Sequence, residues 1–234
     1  MTATVTHPAR LCVRYEPETL DNIVGQDVRF LKSLLLEPHG CCVCLEGPTG
    51  VGKSAAANVF ARAMETRARA AHYPFPVTTI VNGPDLDCAA LEHFFGPETP
   101  FRFVVPANVH YVLVVEELEW MHPQAQRKAK DLLWRETNRR KLIVLATSNL
   151  FGKLDKALRH RFHLLPFSGQ CEFALAAQER IVAIWQAETD GAADLPGGWR
   201  SWGWDDSGGD LIKEYSMRLA LDRLDQALRV AQVA

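Results

Sequence analysis

The chain has 234 residues, 47% of them apolar and 23% charged, with 26 Lys and Arg against 28 Asp and Glu. These values exclude a disordered chain, which would be apolar-poor, and a generally basic nucleic-acid coat. No apolar run approaches the ~18 residues of a membrane span, and the N-terminus has no apolar core of signal-peptide length; a cytoplasmic protein of one large domain, or one domain plus a small satellite, is expected.

The near-neutral total hides an asymmetry. Residues 1–167 hold 20 basic and 17 acidic residues, residues 168–234 hold 6 and 11, and residues 127–161 alone hold 11 and 3. Contact with a polyanion is therefore expected in the 127–161 stretch. The six cysteines, with CCVC at 41–44, lack the paired spacing of a zinc site. They read as small buried side chains.

Residues 1–26 read as an extended lead-in and Asp27–Leu36 as a helix. Cys41–Leu45 is a short apolar run that ends at a Gly-rich loop, which predicts a buried strand. The Ala-rich stretch Ser54–Arg69 predicts a helix, and Val77–Val81, rich in β-branched residues, a strand. His110–Val115 and Leu142–Ala146 are further buried strands, separated by a helix at Pro123–Thr137. Phe162–Pro166 is a fifth strand. Strands alternating with helices predict an α/β fold with a parallel sheet. Beyond Phe167 only helices are expected, at Cys171–Thr189 and Leu211–Val233, around a Gly- and Trp-rich loop at 191–210. The boundary therefore falls between a core of residues 1–167 and a small helical domain of residues 168–234.

Gly47-Pro48-Thr49-Gly50-Val51-Gly52-Lys53-Ser54 fits the pattern G-x-x-x-x-G-K-S throughout. Such a loop turns several N–H groups toward one anion, and the following helix adds the positive end of its dipole. Lys53 can then reach the β- and γ-phosphates of a nucleotide, and Ser54 can ligate Mg²⁺. The strand at 111–115 ends in Glu116 and Glu117 and is expected beside this loop. One carboxylate could hold the metal shell and the next could orient or activate water. Asn149, after the strand LIVLATS, could hydrogen-bond the attacking water or simply form a turn. Arg159 or Arg161 could reach a neighbouring subunit's γ-phosphate, and Arg218 lies in the last helix. A solvated surface position is the alternative for each of these arginines.

Taken together, these residues resemble the AAA+ ATPases, in particular the clamp-loader branch that includes replication factor C small subunits and the bacterial tau/gamma subunit. The similarity runs from Val13 to Leu228. Arg14-Tyr15-Glu16-Pro17 with Val24-Gly25-Gln26 resembles the "YRP…VGQ" opening that lies over adenine in the family, with Glu16 in place of an Arg. Val81–Asp85 is similar to "LNASD", which implies that Asn82 is a switch linking DNA to the catalytic Glu; a plain turn is the alternative. Residues 116–136 resemble "DEADSMTPAAQQALRRTME", with Glu116 in place of the first Asp. Asn149 matches the sensor-1 position. His160-Arg161-Phe162 stands where clamp loaders have "SRC", which makes Arg161 the arginine finger. Ser216–Leu221 and Leu224–Ala227 are similar to "GSMRDALSLLDQA", which makes Arg218 sensor 2, with Tyr215 in place of a Gly.

The resemblance implies a P-loop core with a five-stranded parallel sheet, an all-α lid and an ATPase dependent on ATP and Mg²⁺. Tyr15, Val24, Gly25, residues 48–54 and Arg218 would hold the nucleotide; Ser54 and Glu116 would hold the metal. Glu117, Asn149, Arg161 and Lys53 would be catalytic. Related subunits would assemble in a ring or spiral, with DNA backbone on Arg127, Lys128 and Lys130, unless these form only a solvated helix face. A sliding clamp is a possible client. Clamp-loader subunits continue into a collar domain for which this sequence leaves no residues, so an ATPase module without a collar is expected. Other readings are an ATP-gated, non-hydrolysing assembly subunit, a branch-migration motor, since Arg161-Phe162 also resembles that relative, or an ATPase serving a mobile element or phage. Arg139-Arg140-Lys141 reads as a basic loop. The Trp199, Trp202 and Trp204 loop is expected to pack on its own lid, with a partner-binding patch as the alternative.

Overall fold

The computed structural model describes residues 10–95, 106, 108–191, 194–204 and 214–231. Five parallel strands form one sheet: β1 (Cys41–Glu46), β2 (Thr78–Asn82), β3 (Tyr111–Glu116), β4 (Leu142–Ser148) and β5 (His163–Pro166), in the order β2-β3-β4-β1-β5. Because all five run the same way, their C-terminal ends share one edge, and that edge carries the candidate site.

Alternate residues of the strands feed two cores. Val43, Leu45, Val112, Val114, Ile143 and Leu145 pack with Ala56, Phe60 and Met64 of α3 (Lys53–Ala70). Cys42, Cys44, Leu113, Val115, Val144 and Ala146 pack on the other face with Ala125, Ala129 and Leu133 of α5 (Pro123–Arg140) and Leu91 of α4 (Cys88–Phe95). The result is the three-layer α/β arrangement in which a parallel sheet is covered on both faces. Burial pushes the thiol of Cys41 up to about 11 and those of Cys42 and Cys44 higher still, so these cysteines act as small apolar side chains.

α7 (Cys171–Glu188) and α8 (Met217–Ala231) join the first core through Phe173, Ile181, Trp185, Leu224 and Leu228. Trp199, Trp202 and Trp204 pack against that same cluster, and Trp204 meets the buried Tyr215 edge-on at 5.5 Å. The Trp-rich loop thus packs on its own helices, as expected; residues 192–193 and 205–210 of it lie outside the described residues. Among the described residues no helix is long and apolar enough to cross a membrane.

Four expectations are corrected and one helix is added; Arg139 and Arg140, expected in a loop, are the last residues of α5. The lead-in is not wholly extended: Leu11–Arg14 forms a short helix, α1, because Leu11 is drawn into the core. Cys88–Phe95 is helical too, and neither element has enough turns for its pattern to stand out. The last helix starts at Met217, not Leu211: the Leu219 N–H donates to Ser216 Oγ at 3.3 Å, which caps the helix there. Residues 211–213 and 232–234 lie outside the described residues. Finally, β3 is not adjacent to the phosphate-loop strand, since β4 pairs with both β1 and β3 and separates them.

Candidate active site

β1 delivers the chain to the 47–52 loop, and α3 begins at Lys53 with Gly52 as its N-cap. Gly50 has φ +85, and a Cβ there would stand 2.0 Å from Ser216 Oγ, so only glycine lets the start of α8 close on the loop. The Met217 N–H then donates to the Gly50 carbonyl at 3.0 Å. Gln26 fastens the other side: its amide donates to the carbonyls of Val51 (3.3 Å) and Ser168 (2.8 Å) and accepts from the Ser168 N–H (3.0 Å).

Lys53 is buried, only 7% exposed. Its ammonium donates to the carbonyls of Gly47 (2.7 Å) and Pro48 (2.5 Å) and to Asn149 Oδ1 (2.9 Å). Burial lowers its pKa to about 8, against the opposing pull of Glu119 and Cys44. The ammonium therefore sits on loop carbonyls that a phosphate oxygen would outcompete as a charged partner.

β3 ends at Glu116, whose register partner on β2 is Asn82. Glu117 follows in the left-handed region, at φ 53 and ψ 49, a conformation that costs a non-glycine residue roughly 1–2 kcal/mol. Two contacts hold it there. Its N–H donates to Thr147 Oγ1 at 3.2 Å, and Gly83 lies so close that a Cβ on it would be 2.3 Å from the Glu117 carbonyl oxygen. The Asn82-Gly83 turn is thereby pressed on the backbone of Glu117, while the Asn82 amide donates to Asp85 at 3.0 Å.

These elements enclose a cavity of about 300 Å³. One end, at the glycine-rich loop, is lined by Thr49–Ser54, Glu117, Thr147, Asn149 and Arg218. Its other end is lined by Tyr15, Val24, Phe173, Arg180 and Leu221. Tyr15 lies under the Arg180 guanidinium at 5.7 Å and donates to Glu188 Oε1 at 2.5 Å. Arg14 donates to both oxygens of the same carboxylate, at 2.9 and 2.6 Å. The lead-in and α7 are thus clasped together over the end of the cavity that Tyr15 and Val24 line.

The structure therefore brings Tyr15, Val24, Thr49, Gly50, Val51, Gly52, Lys53, Ser54, Glu117, Asn149 and Arg218 to one cavity. Pro48, Gly25 and Glu116 stand outside its lining; Gly25 backs onto Phe173, and Pro48 offers its carbonyl to Lys53. Arg161 lines a separate open pocket with Lys130, Asp155, Lys156 and His160. On α5, Arg127 is exposed, whereas Lys128 is committed to an ion pair with Glu92 and to the Cys88 carbonyl. Thr147, Arg180 and Glu188 join the site without a motif to announce them. Glu119 joins it from within the 116–136 stretch that carries the family resemblance, as a third carboxylate after the strand.

The profile of the ATPase family associated with various cellular activities (AAA) matches residues 43–168. No curated protein matches the chain in sequence. Among solved structures, it is similar to the Thermotoga maritima RuvB Holliday junction branch migration motor, with TM-score 0.63 and 16% identity over 94% of this chain and 67% of that one. It is also similar to the Aeropyrum pernix ORC1 protein in complex with DNA, with TM-score 0.55 and 18% identity over 93% and 62% of the two chains.

Proposed function

This chain belongs to the AAA family of ATPases, and from that premise we propose that it is an oligomeric, DNA-associated AAA+ ATPase of clamp-loader type, hydrolysing ATP at subunit interfaces to assemble on DNA and act on a protein partner. The observation that carries this reading is the convergence of Lys53, Ser54, Glu117, Asn149 and Arg218 on one cavity.

The adenine would enter beside Tyr15 and Val24. The N–H groups of residues 49–54 would face the phosphates, with Lys53 transferred from its loop carbonyls to the β- and γ-phosphates. Glu117 would take the proton of the attacking water while Asn149 holds that water in line. Arg218 would contact the γ-phosphate from α8 and so link nucleotide state to the angle of the helical lid, residues 168–234, on the core, residues 1–167. Ser54 and Glu116 would hold Mg²⁺ together with phosphate oxygens. Two protein donors suit this cation, which keeps waters and leans on phosphates, and among the described residues no group of three or more His, Cys, Asp or Glu forms a closed cage. When bound, the ion neutralises charge on the β- and γ-phosphates.

Arg161 lines a separate open pocket and not the cavity that holds Lys53 and Glu117, which suits a finger that acts on a neighbour's site. The exposed Arg127, the half-buried Lys130 and the basic excess of residues 127–161 support contact with DNA backbone, with Asn82 relaying it to Glu117. The fold likeness to a branch migration motor, with Phe162 directly after Arg161, favours as a second reading a motor acting on branched DNA. Both readings require assembly. Sedimentation with a slowly hydrolysed ATP analogue and DNA should give a species several chains in size; a monomer under all conditions counts against both. Faster branch migration of a four-way junction on adding the chain and ATP selects the second.

A further inference from the structure

We propose that Glu119 is a positioning residue for hydrolysis: its carboxylate fixes the backbone at Asn149 and so aims the Asn149 side chain at Lys53 and the phosphate end of the cavity. The inference rests on reading this cavity as one that hydrolyses ATP.

The geometry points there from three sides. Asn149 lies just past the last residue of β4, where the sheet ladder has ended, and its N–H donates to Glu119 Oε1 at 2.9 Å. The next N–H, of Leu150, is also held by a side chain, Ser148 Oγ at 3.2 Å. The Ser148 carbonyl still accepts from the Gly47 N–H at 3.1 Å, but the two N–H groups beyond it are held by side chains. Glu119 itself sits in the 3₁₀ turn Leu118–Trp120, directly after Glu117. One short turn thus faces Glu117 into the cavity and grips the strand tip that carries Asn149.

The charge of Glu119 is the third side. The residue is only 6% exposed, and its Oε2 is buried with no hydrogen-bond partner among the described residues. A neutral side chain could accept one N–H at less desolvation cost. A carboxylate makes the bond charge-assisted and hence more tightly directed. It also opposes the effect of burial on Lys53 by favouring the charged ammonium. Lys53, Asn149 and Glu119 accordingly form one chain of contacts, running from ammonium to amide oxygen and from amide-bearing backbone to carboxylate. A water-orienting amide released by an ångström loses on the order of a hundredfold in rate.

The test is steady-state kinetics on the full chain, with nucleotide affinity measured separately. E119A should lower kcat about 10- to 100-fold with nucleotide Kd unchanged within about threefold. E119Q, which keeps an acceptor for the Asn149 N–H, should recover at least about tenfold of that loss. The E119A/N149A double variant should be no slower than N149A alone within about twofold, because Glu119 acts through Asn149. If E119A does not melt cooperatively, E119M, which fills the space without an acceptor, takes its place beside E119Q. Wild-type kcat in E119A or E119M, equal loss in E119Q, or multiplying losses in the double variant each overturn this role alone. A wild-type chain without turnover overturns both this role and the proposed function.

Discussion

The ammonium of Lys53 donates to the side-chain oxygen of Asn149 at 2.9 Å, joining residues 96 positions apart in sequence. The contact ties the first residue of α3 to the tip of β4, so the group that would grip phosphate and the group that would place water are neighbours.

That arrangement predicts a split for Asn149. N149A should leave the affinity for ATP within about threefold of wild type, since Lys53 keeps its other contacts and the loop N–H groups are untouched, while kcat falls about 10- to 100-fold. Fluorescent-analogue titration and phosphate-release assays separate the two quantities. An equal loss in both would remove the water-positioning role.

The clasp over the base end should act on binding and not on chemistry. Glu188 is the shared acceptor for Arg14 and Tyr15, and Arg14 is partly exposed, so solvent screens the pair. E188Q should weaken nucleotide binding about three- to tenfold, a difference of order 1 kcal/mol. Its kcat should stay within about threefold of wild type. An unchanged Kd would show that the lead-in contributes nothing to holding the base.

Arg161 supplies a prediction that needs two proteins. R161A and K53A should each lose about 100-fold or more in turnover. Mixed in equal amounts they should recover up to about a quarter of the wild-type rate, because about one interface in four then pairs an intact Lys53 with an intact Arg161. A mixture no faster than its components contradicts action across subunits.

The fold itself should weaken in mild acid. Burial holds the His110 imidazole down to about 4, with Lys141, Arg67 and His39 adding positive charge around it, against an ordinary value of 6.5. The unfolded chain therefore binds the extra proton between pH 6.5 and 4, and stability falls as pH drops through that window. After solvent screening the loss amounts to about 1–2 kcal/mol. Thermal melts of wild type and H110N across that range should show a flatter profile for the variant; parallel profiles would assign the acid sensitivity elsewhere.

Much of the site is legible in the sequence where chemistry sits at the end of a buried strand. The apolar runs before Gly47, Glu116 and Asn149 mark three strand ends, and parallel pairing brings those ends to one edge. What stays hidden depends on contacts between distant positions. Glu119 meets Asn149 thirty residues on, Gln26 meets Ser168 across 142 residues, and Arg14 meets Glu188 across 174. Glu119, Gln26 and Arg14 fall in stretches that resemble family motifs, but no local pattern tells which distant partner each one meets. Strand order is hidden for the same reason, since an apolar run says that a strand is buried and not which strands flank it. β4 therefore stands where β3 was expected.

If this cavity hydrolyses ATP through Glu117, phosphate release from the purified chain with Mg²⁺ and ATP, with and without DNA, will show it. Wild type should turn over, faster with DNA, and E117Q should lose about 100-fold or more with nucleotide binding retained. A wild-type chain that binds ATP without releasing phosphate, or an E117Q chain that releases it at the wild-type rate, would contradict hydrolysis through Glu117.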